Sequence, residues 1–282
     1  MPSVVVNGTD LSYSDEGAGD VVFVIHGAGS DGRMWAKDLV PLARTHRVIA
    51  LNRRGFPGSG SAVRDWRVHG DDAAGLVEEL DAAPVAVVAH SGGSIAALDL
   101  AVRRPELVSN LVLLDPAFGT RRNITPKLAA IFVKVQLLRR LGRERQAIDT
   151  WLRFATSYRT GGSAFERMAE ERREVLRGNA GGVFADMASG DGSYIRDEDL
   201  ASIRVPVTII TADLSPSFLQ KTSASLAKRL PAVTSRTLQG AGHAMVFDQS
   251  EALLVELRRA LDGASAMTPS QAATQRPSDP AL

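Results

Sequence analysis

The chain has 282 residues, 44% hydrophobic and 23% charged, which suits one large α/β domain or two small ones with a substantial core. Lys and Arg number 33 against 32 Asp and Glu, so a net charge of +1 offers no general attraction to nucleic acid or to an anionic membrane, and neither is expected as a partner. Cysteine is absent, which excludes a disulfide framework, a thiolate metal site and a cysteine nucleophile.

The N-terminal stretch MPSVVVNGTDLSYSDEG has neither a basic run nor a long apolar one, so no signal peptide is expected. No apolar run approaches the roughly 20 residues of a membrane span. The expectation is a soluble cytoplasmic protein, monomer or homodimer. SVVV and LSYS, punctuated by Asn7-Gly8, Gly17 and Gly19, read as edge strands, and VVFVIH as a buried one. RVIALN (Arg47–Asn52), VAVVAH (Val85–His90), LVLLD (Leu111–Asp115), VTIITA (Val207–Ala212) and SRTLQG (Ser235–Gly240) follow. Their near-continuous Val/Ile/Leu content, without alternation, predicts strands covered on both faces of a parallel sheet. Helical patterns lie between them at Asp71–Leu80, Ser94–Arg103, Ser217–Leu230 and Ser250–Leu261, several ending at Pro or Gly. Asp71 and Asp72 read as a helix start. This alternation predicts a doubly wound α/β fold.

One interval breaks the rhythm. Residues 118–203 contain no strand pattern and read as a helical insertion packed over the sheet, dividing a core of 1–117 and 204–262. Within it, PKLAAIFVKVQLLRRL carries Leu128, Ile131, Phe132, Val135 and Leu138 on one helix face. Val133 and Leu137 are apolar on other sides, which predicts a helix covered on more than one side. Arg139, Arg140, Arg143 and Arg145 read as its solvated end. The stretches DTWLRFATSY and FERMAEERREVL are further helices. From Gly263 the chain is rich in small, polar and proline residues, the composition of a disordered tail.

Chemistry gathers at the strand–helix joints. Val85–His90 ends at Ser91, followed by Gly92, Gly93 and an Ala/Leu-rich helix. A tight turn there lifts a hydroxyl clear of the sheet, and the following helix points its positive N-terminus at any charge developing on a substrate. An activated serine also needs a base, an acid to orient it and amide donors for an oxyanion. His243, in the Gly-rich loop GAGH, can supply the base. No two histidines have the spacing of a metal pair, so no metal is expected.

The segment Ala89-His90-Ser91-Gly92-Gly93 resembles the G-x-S-x-G elbow of the α/β-hydrolase superfamily, with alanine for the first glycine. VIHGAG, with His26-Gly27-Ala28-Gly29, resembles the oxyanion loop of that family. NRRGFPGSG resembles its D-x-x-G-x-G-x-S loop, with Asn52 for aspartate. The resemblance covers about Val4 to Leu261. It implies a mostly parallel eight-stranded sheet with helices on both faces and a helical cap. It also implies a serine hydrolase that needs no cofactor and acts on a small-molecule ester. Ser91 is then the nucleophile, His243 the base, and the Ala28 and Gly92 amides the oxyanion donors. Asp115, after the sixth strand, is taken as the acid, with Asp213 as the alternative. Gly27, His90, Phe132 and Trp151 are expected to line the substrate site. His26 is expected to hold its loop through backbone hydrogen bonds, while His46, His69, Arg53 and Arg54 read as surface or solvated loop residues. A ligand-binding receptor with weak turnover, or a lactonase, C–C hydrolase or lyase relative, remains the alternative function.

Overall fold

Alternate residues along each central strand meet different partners, and that alternation builds both halves of the core. The computed structural model describes residues 1–265, with side chains through Asp262. Eight strands form one sheet: β1 (Ser3–Val6), β2 (Thr9–Glu16), β3 (Val21–Ile25), β4 (Arg47–Leu51), β5 (Val85–His90), β6 (Val108–Leu114), β7 (Val207–Ala212) and β8 (Val233–Leu238). Their order is β1-β2-β4-β3-β5-β6-β7-β8. β2 runs antiparallel to both of its neighbours, and every other pairing is parallel.

The helices in chain order are α1 (Gly32–Asp38), α2 (Trp66–Glu79), α3 (Gly93–Arg103), α4 (Pro126–Arg140), α5 (Glu144–Ala155), α6 (Ala164–Arg167), α7 (Glu170–Gly178), α8 (Ala180–Ala188), α9 (Asp197–Ala201), α10 (Ser217–Ala227), α11 (Met245–Asp248) and α12 (Ser250–Ser265). Phe23, Ile25, Val87, Ala89, Leu111 and Leu113 pack with Leu76 and Val77 of α2 and Ile95 and Leu98 of α3. The intervening Val22, Val24, Val88, Val112 and Leu114 pack with Trp35 of α1 and Leu253 and Leu257 of α12. A period of two on a sheet covered on both faces leaves no polar positions, which is why these strands read as unbroken apolar runs.

Several expected boundaries move. α2 begins at Trp66, where the Asp65 side chain caps the Arg67 amide. Asp71 and Asp72 therefore lie within the helix and serve as ion-pair partners, Asp72 to Arg54 and Asp71 to Arg103. α10 stops at Ala227, three residues before the expected end, and β8 starts at Val233, two residues early. α12 continues through Ser265, past the expected start of the tail, and the rest of that tail lies outside the described residues. α1, α8, α9 and α11 had no recognised pattern in the sequence.

Between β6 and β7 stand α4 to α9, with an isolated bridge between Ser157 and Ser163 as the extended pairing there. Val135, Ile148, Leu152, Phe165, Leu176 and Val183 form a core of their own, which also touches Ala28, Met34, Ala244 and Phe247 at the strand ends. The expected covering of α4 on several sides is not found. Leu128 and Val135 are buried, but Val133 and Leu137 point to solvent.

Candidate active site

The joint after β5 depends on close backbone approach. Ser91 has φ +52°, a left-handed conformation rare for a residue with a side chain. Its N–H donates to the Leu114 carbonyl, while its own carbonyl accepts from Ser94 and Ala117. Two glycines leave the space this turn needs. A Cβ at Gly93 would lie 2.5 Å from the Ile25 carbonyl oxygen, and one at Gly27 would lie 2.7 Å from the Ser91 Cβ. Larger residues would force the β3 and β5 tips apart.

On the neighbouring strand, Asp115 stands just past β6 with φ +40° and is fully buried. Its N–H donates to the Ile210 carbonyl, so the turn is tied to β7. His243 arrives from the loop between β8 and α11. Its Nε2 lies 2.9 Å from Ser91 Oγ and its Nδ1 3.1 Å from Asp115 Oδ2. Asp115 also accepts from the Ala212 amide through Oδ1 and from the Ser215 hydroxyl through Oδ2. Ser215 stands in the turn after β7 and reaches back to the carboxylate on β6. Asp213, the alternative acid, turns away from the imidazole, and its Oδ1 accepts the Ala241 N–H at 3.2 Å. It braces the His243 loop instead of bonding the ring.

Ala28 and Gly92, the expected oxyanion donors, both line the cavity that contains Ser91. Among the described residues, neither amide donates to a protein acceptor. His26 is fully buried, and burial, followed by the Arg53 charge, holds its pKa well below the ordinary range. It is therefore neutral, with the Nδ1 proton on the Gly27 carbonyl and Nε2 accepting the Arg53 amide. This is the loop-holding part expected of it. His90 donates from Nε2 to the His243 carbonyl at 2.9 Å, and its ring centroid lies 4.6 Å from that of His243. Burial first, then the His243 charge, lowers its pKa to about 3.

The sequence profile of the Alpha/beta hydrolase family matches residues 21–257. The chain belongs to this family. A Mycobacterium tuberculosis protein carrying the name non-heme bromoperoxidase BpoC is 41% identical over 108 residues, 37% of this chain and 41% of that protein. The 2-hydroxymuconate semialdehyde hydrolase of Pseudomonas sp. strain CF600 is 35% identical over 137 residues, 46% of this chain and 47% of that enzyme. These alignments span less than half the length of the curated relatives. Among solved structures, the enol-lactonase of Burkholderia xenovorans LB400 superposes with a TM-score of 0.77 at 19% identity, covering 93% of this chain and 100% of that one. That likeness shows a shared fold.

In this alpha/beta hydrolase, two cavities meet at His243. One, about 680 Å³ counted to its open mouth, contains Ser91 and is lined by Leu128, Phe132, Trp151, Phe218 and Leu219. The other, about 650 Å³, runs past His90 to Trp35, Met168 and Arg172. Both touch Ala28, Ala155 and His243. Phe132 and Trp151 thus line the cavity that contains the serine, and His90 lines the other. Gly27 lines neither cavity, because it is spent on the approach to Ser91.

Arg53 departs most from expectation. It is not solvated: its guanidinium is fully buried and makes a bidentate pair with Asp186 of α8 at 2.9 and 2.7 Å. Its guanidinium carbon lies 4.7 Å from the Phe56 ring centroid and 5.1 Å from that of Trp66, and its Nε donates to the His26 carbonyl. His69, expected at the surface, is buried beside it and held neutral by burial and then by the Arg53 charge. Asp186 carried no signal of its own in the sequence. Its partner stands about 130 residues away in the chain, and only the docking of α8 joins them.

Proposed function

We propose that this protein is a serine hydrolase that cleaves a small, largely apolar carboxylic ester through an acyl-enzyme on Ser91. The observation that carries the reading is the His243 ring, bonded through one nitrogen to the Ser91 hydroxyl and through the other to Asp115. His243 Nε2 takes the hydroxyl proton as Ser91 Oγ attacks the ester carbonyl. The Ala28 and Gly92 amides receive the tetrahedral oxyanion, each donor contributing about 3 kcal/mol. Asp115 keeps the proton on Nδ1 and stabilises the imidazolium that forms. The imidazolium then gives its Nε2 proton to the leaving alcohol. Water, deprotonated by the same nitrogen, releases the acid and restores Ser91. Every step uses the chain's own groups and water.

The cavity lining supports an uncharged substrate. Among the described residues, no lysine or arginine lines the cavity that holds Ser91, and its one carboxylate, Asp186, is paired to Arg53. A charged acyl group would enter without a partner, at a cost of several kcal/mol. Phe132, Trp151 and Phe218 offer an apolar acyl group a dry wall, and the cavity beyond His243 takes the alcohol part.

The test is hydrolysis of a short-chain aryl ester together with labelling by a fluorophosphonate. The wild-type chain is expected to turn over the ester and to take the label on Ser91. Ser91→Ala should lose both, with a fall on the order of 10⁶-fold in kcat. Turnover that survives the substitution refutes the acyl-enzyme. Tight ester binding by a wild-type chain that neither turns over nor labels points to a ligand-binding protein on this scaffold.

A further inference from the structure

Helix α4 is apolar on two opposite sides, and only one of them has a partner. Its inner side places Leu128 and Phe132 against the cavity beside Ser91 and buries Val135. On its outer side, Val133 (68% exposed) and Leu137 (55%), continued by the C-cap residue Leu141 (58%), recur at i, i+4 and i+8, a single stripe along the helix and its cap. Ile124, just before the helix, is 57% exposed. Half of the eight large exposed hydrophobic side chains of the described chain therefore fall in this one short segment.

The charge around the stripe is one-sided. From Pro116 to Arg143 the sequence holds seven arginines and lysines and no acidic residue. The 100° step of the helix puts the exposed Lys127 and Lys134 along one border of the stripe and the exposed Arg140 along the other. Arg139 is taken up in stacking on Phe184, and Arg122 faces Asp197 only at 3.8 Å. The net charge of +1 for the whole chain averages this concentration away.

We propose that the outer face of α4 docks on an anionic lipid bilayer, with Val133, Leu137 and Leu141 seated among the acyl chains and Lys127, Lys134 and Arg140 reaching up to the headgroups. An apolar stripe bordered by long cationic side chains is the pattern of a helix lying in the membrane interface. A second copy of the chain fits this face poorly, because a two-fold contact sets each patch against itself and brings the same cations together. Docked this way, the helix that walls the Ser91 cavity rests on the bilayer. The surface does not depend on the hydrolase reading, and Ser91→Ala should bind as the wild type does.

Flotation of the full chain with vesicles tests the proposal. Binding is expected to phosphatidylcholine vesicles containing phosphatidylglycerol, weakly or not at all to pure phosphatidylcholine, and to weaken as salt rises. Each cation near such a surface contributes about fivefold, so K127Q/K134Q/R140Q should lower partitioning on the order of a hundredfold. V133S/L137S/L141S should also abolish it, and both triple variants should keep the wild-type rate on a soluble short-chain ester and the wild-type circular dichroism. Absence of flotation with anionic vesicles, or flotation that neither triple variant reduces, overturns the proposal. Self-association without vesicle binding, lost in V133S/L137S/L141S, overturns it in favour of a second copy.

Discussion

The strand-tip half of the site and the helical half are held by different physics. Ser91 and Asp115 sit on adjacent strand ends in left-handed backbone conformations, each tied by amide hydrogen bonds to the next strand. Their positions follow from the sheet register. The helices over the site are joined to the core mainly through side chains. Arg53 pairs with Asp186, Arg172 pairs with Asp38 at 2.6 Å, and the Asn179 amide donates to the Gly29 carbonyl. Tyr158 donates to Asp248, which in turn accepts the Gly242 amide beside His243. Backbone bonds are independent of residue type, whereas side-chain joints can be remade by single substitutions. The reacting groups therefore sit where the fold dictates, and the cavity walls sit where side chains happen to agree.

The sharpest way to break this contrast is to change the strand-tip half without moving it. Asp115→Asn keeps the buried shape but removes the charge that orients and stabilises the His243 ring, and kcat on an aryl ester should fall about 10⁴-fold. Asp213→Asn should change kcat far less, because Asp213 bonds a backbone amide and not the imidazole. Equal losses from the two would show that the loop, not the ring partner, sets the rate.

The second test addresses the side-chain joint. Arg53→Met leaves Asp186 buried without a counter-charge and should cost about 3–5 kcal/mol in urea unfolding. Adding Asp186→Leu should recover most of that loss, since both charges are then gone. If Arg53→Met alone is neutral, the joint is not what holds α8 to the core.

The smallest effect is a pH dependence. His90, with its pKa lowered to about 3 against an ordinary 6.5, is neutral in the folded chain and protonates readily when unfolded. The unfolded state therefore binds more protons between pH 6.5 and about 3, so stability is full above that window and falls as pH drops through it. Each pH unit inside the window costs about 1.4 kcal/mol for such a group. His90→Gln should flatten the acid limb of the stability curve by that share, measured by denaturant titration from pH 7 to 5. Unchanged steepness would assign the acid sensitivity to His26 and His69, which burial and Arg53 also keep neutral.

Much of this molecule was legible in one dimension. Apolar runs located the central strands because a sheet covered on both faces tolerates few polar residues, and Ser91, Gly93 and His243 stood out because tight turns after strands restrict which residues fit. Two acids remained open, because Asp115 and Asp213 both follow a strand and differ only in where their carboxylates point. That direction comes from the left-handed turn at Asp115 and from Ser215 reaching across from β7. The boundaries of α2 and α10 shifted because caps and packing, not periodicity, end a helix. Tertiary structure alone decided that Arg53 and His69 lie inside, that Asp186 meets Arg53, and that the outer side of α4 faces solvent. Local pattern records which residues a backbone conformation admits, whereas the partner of a charge or of an apolar face depends on which distant segment arrives beside it.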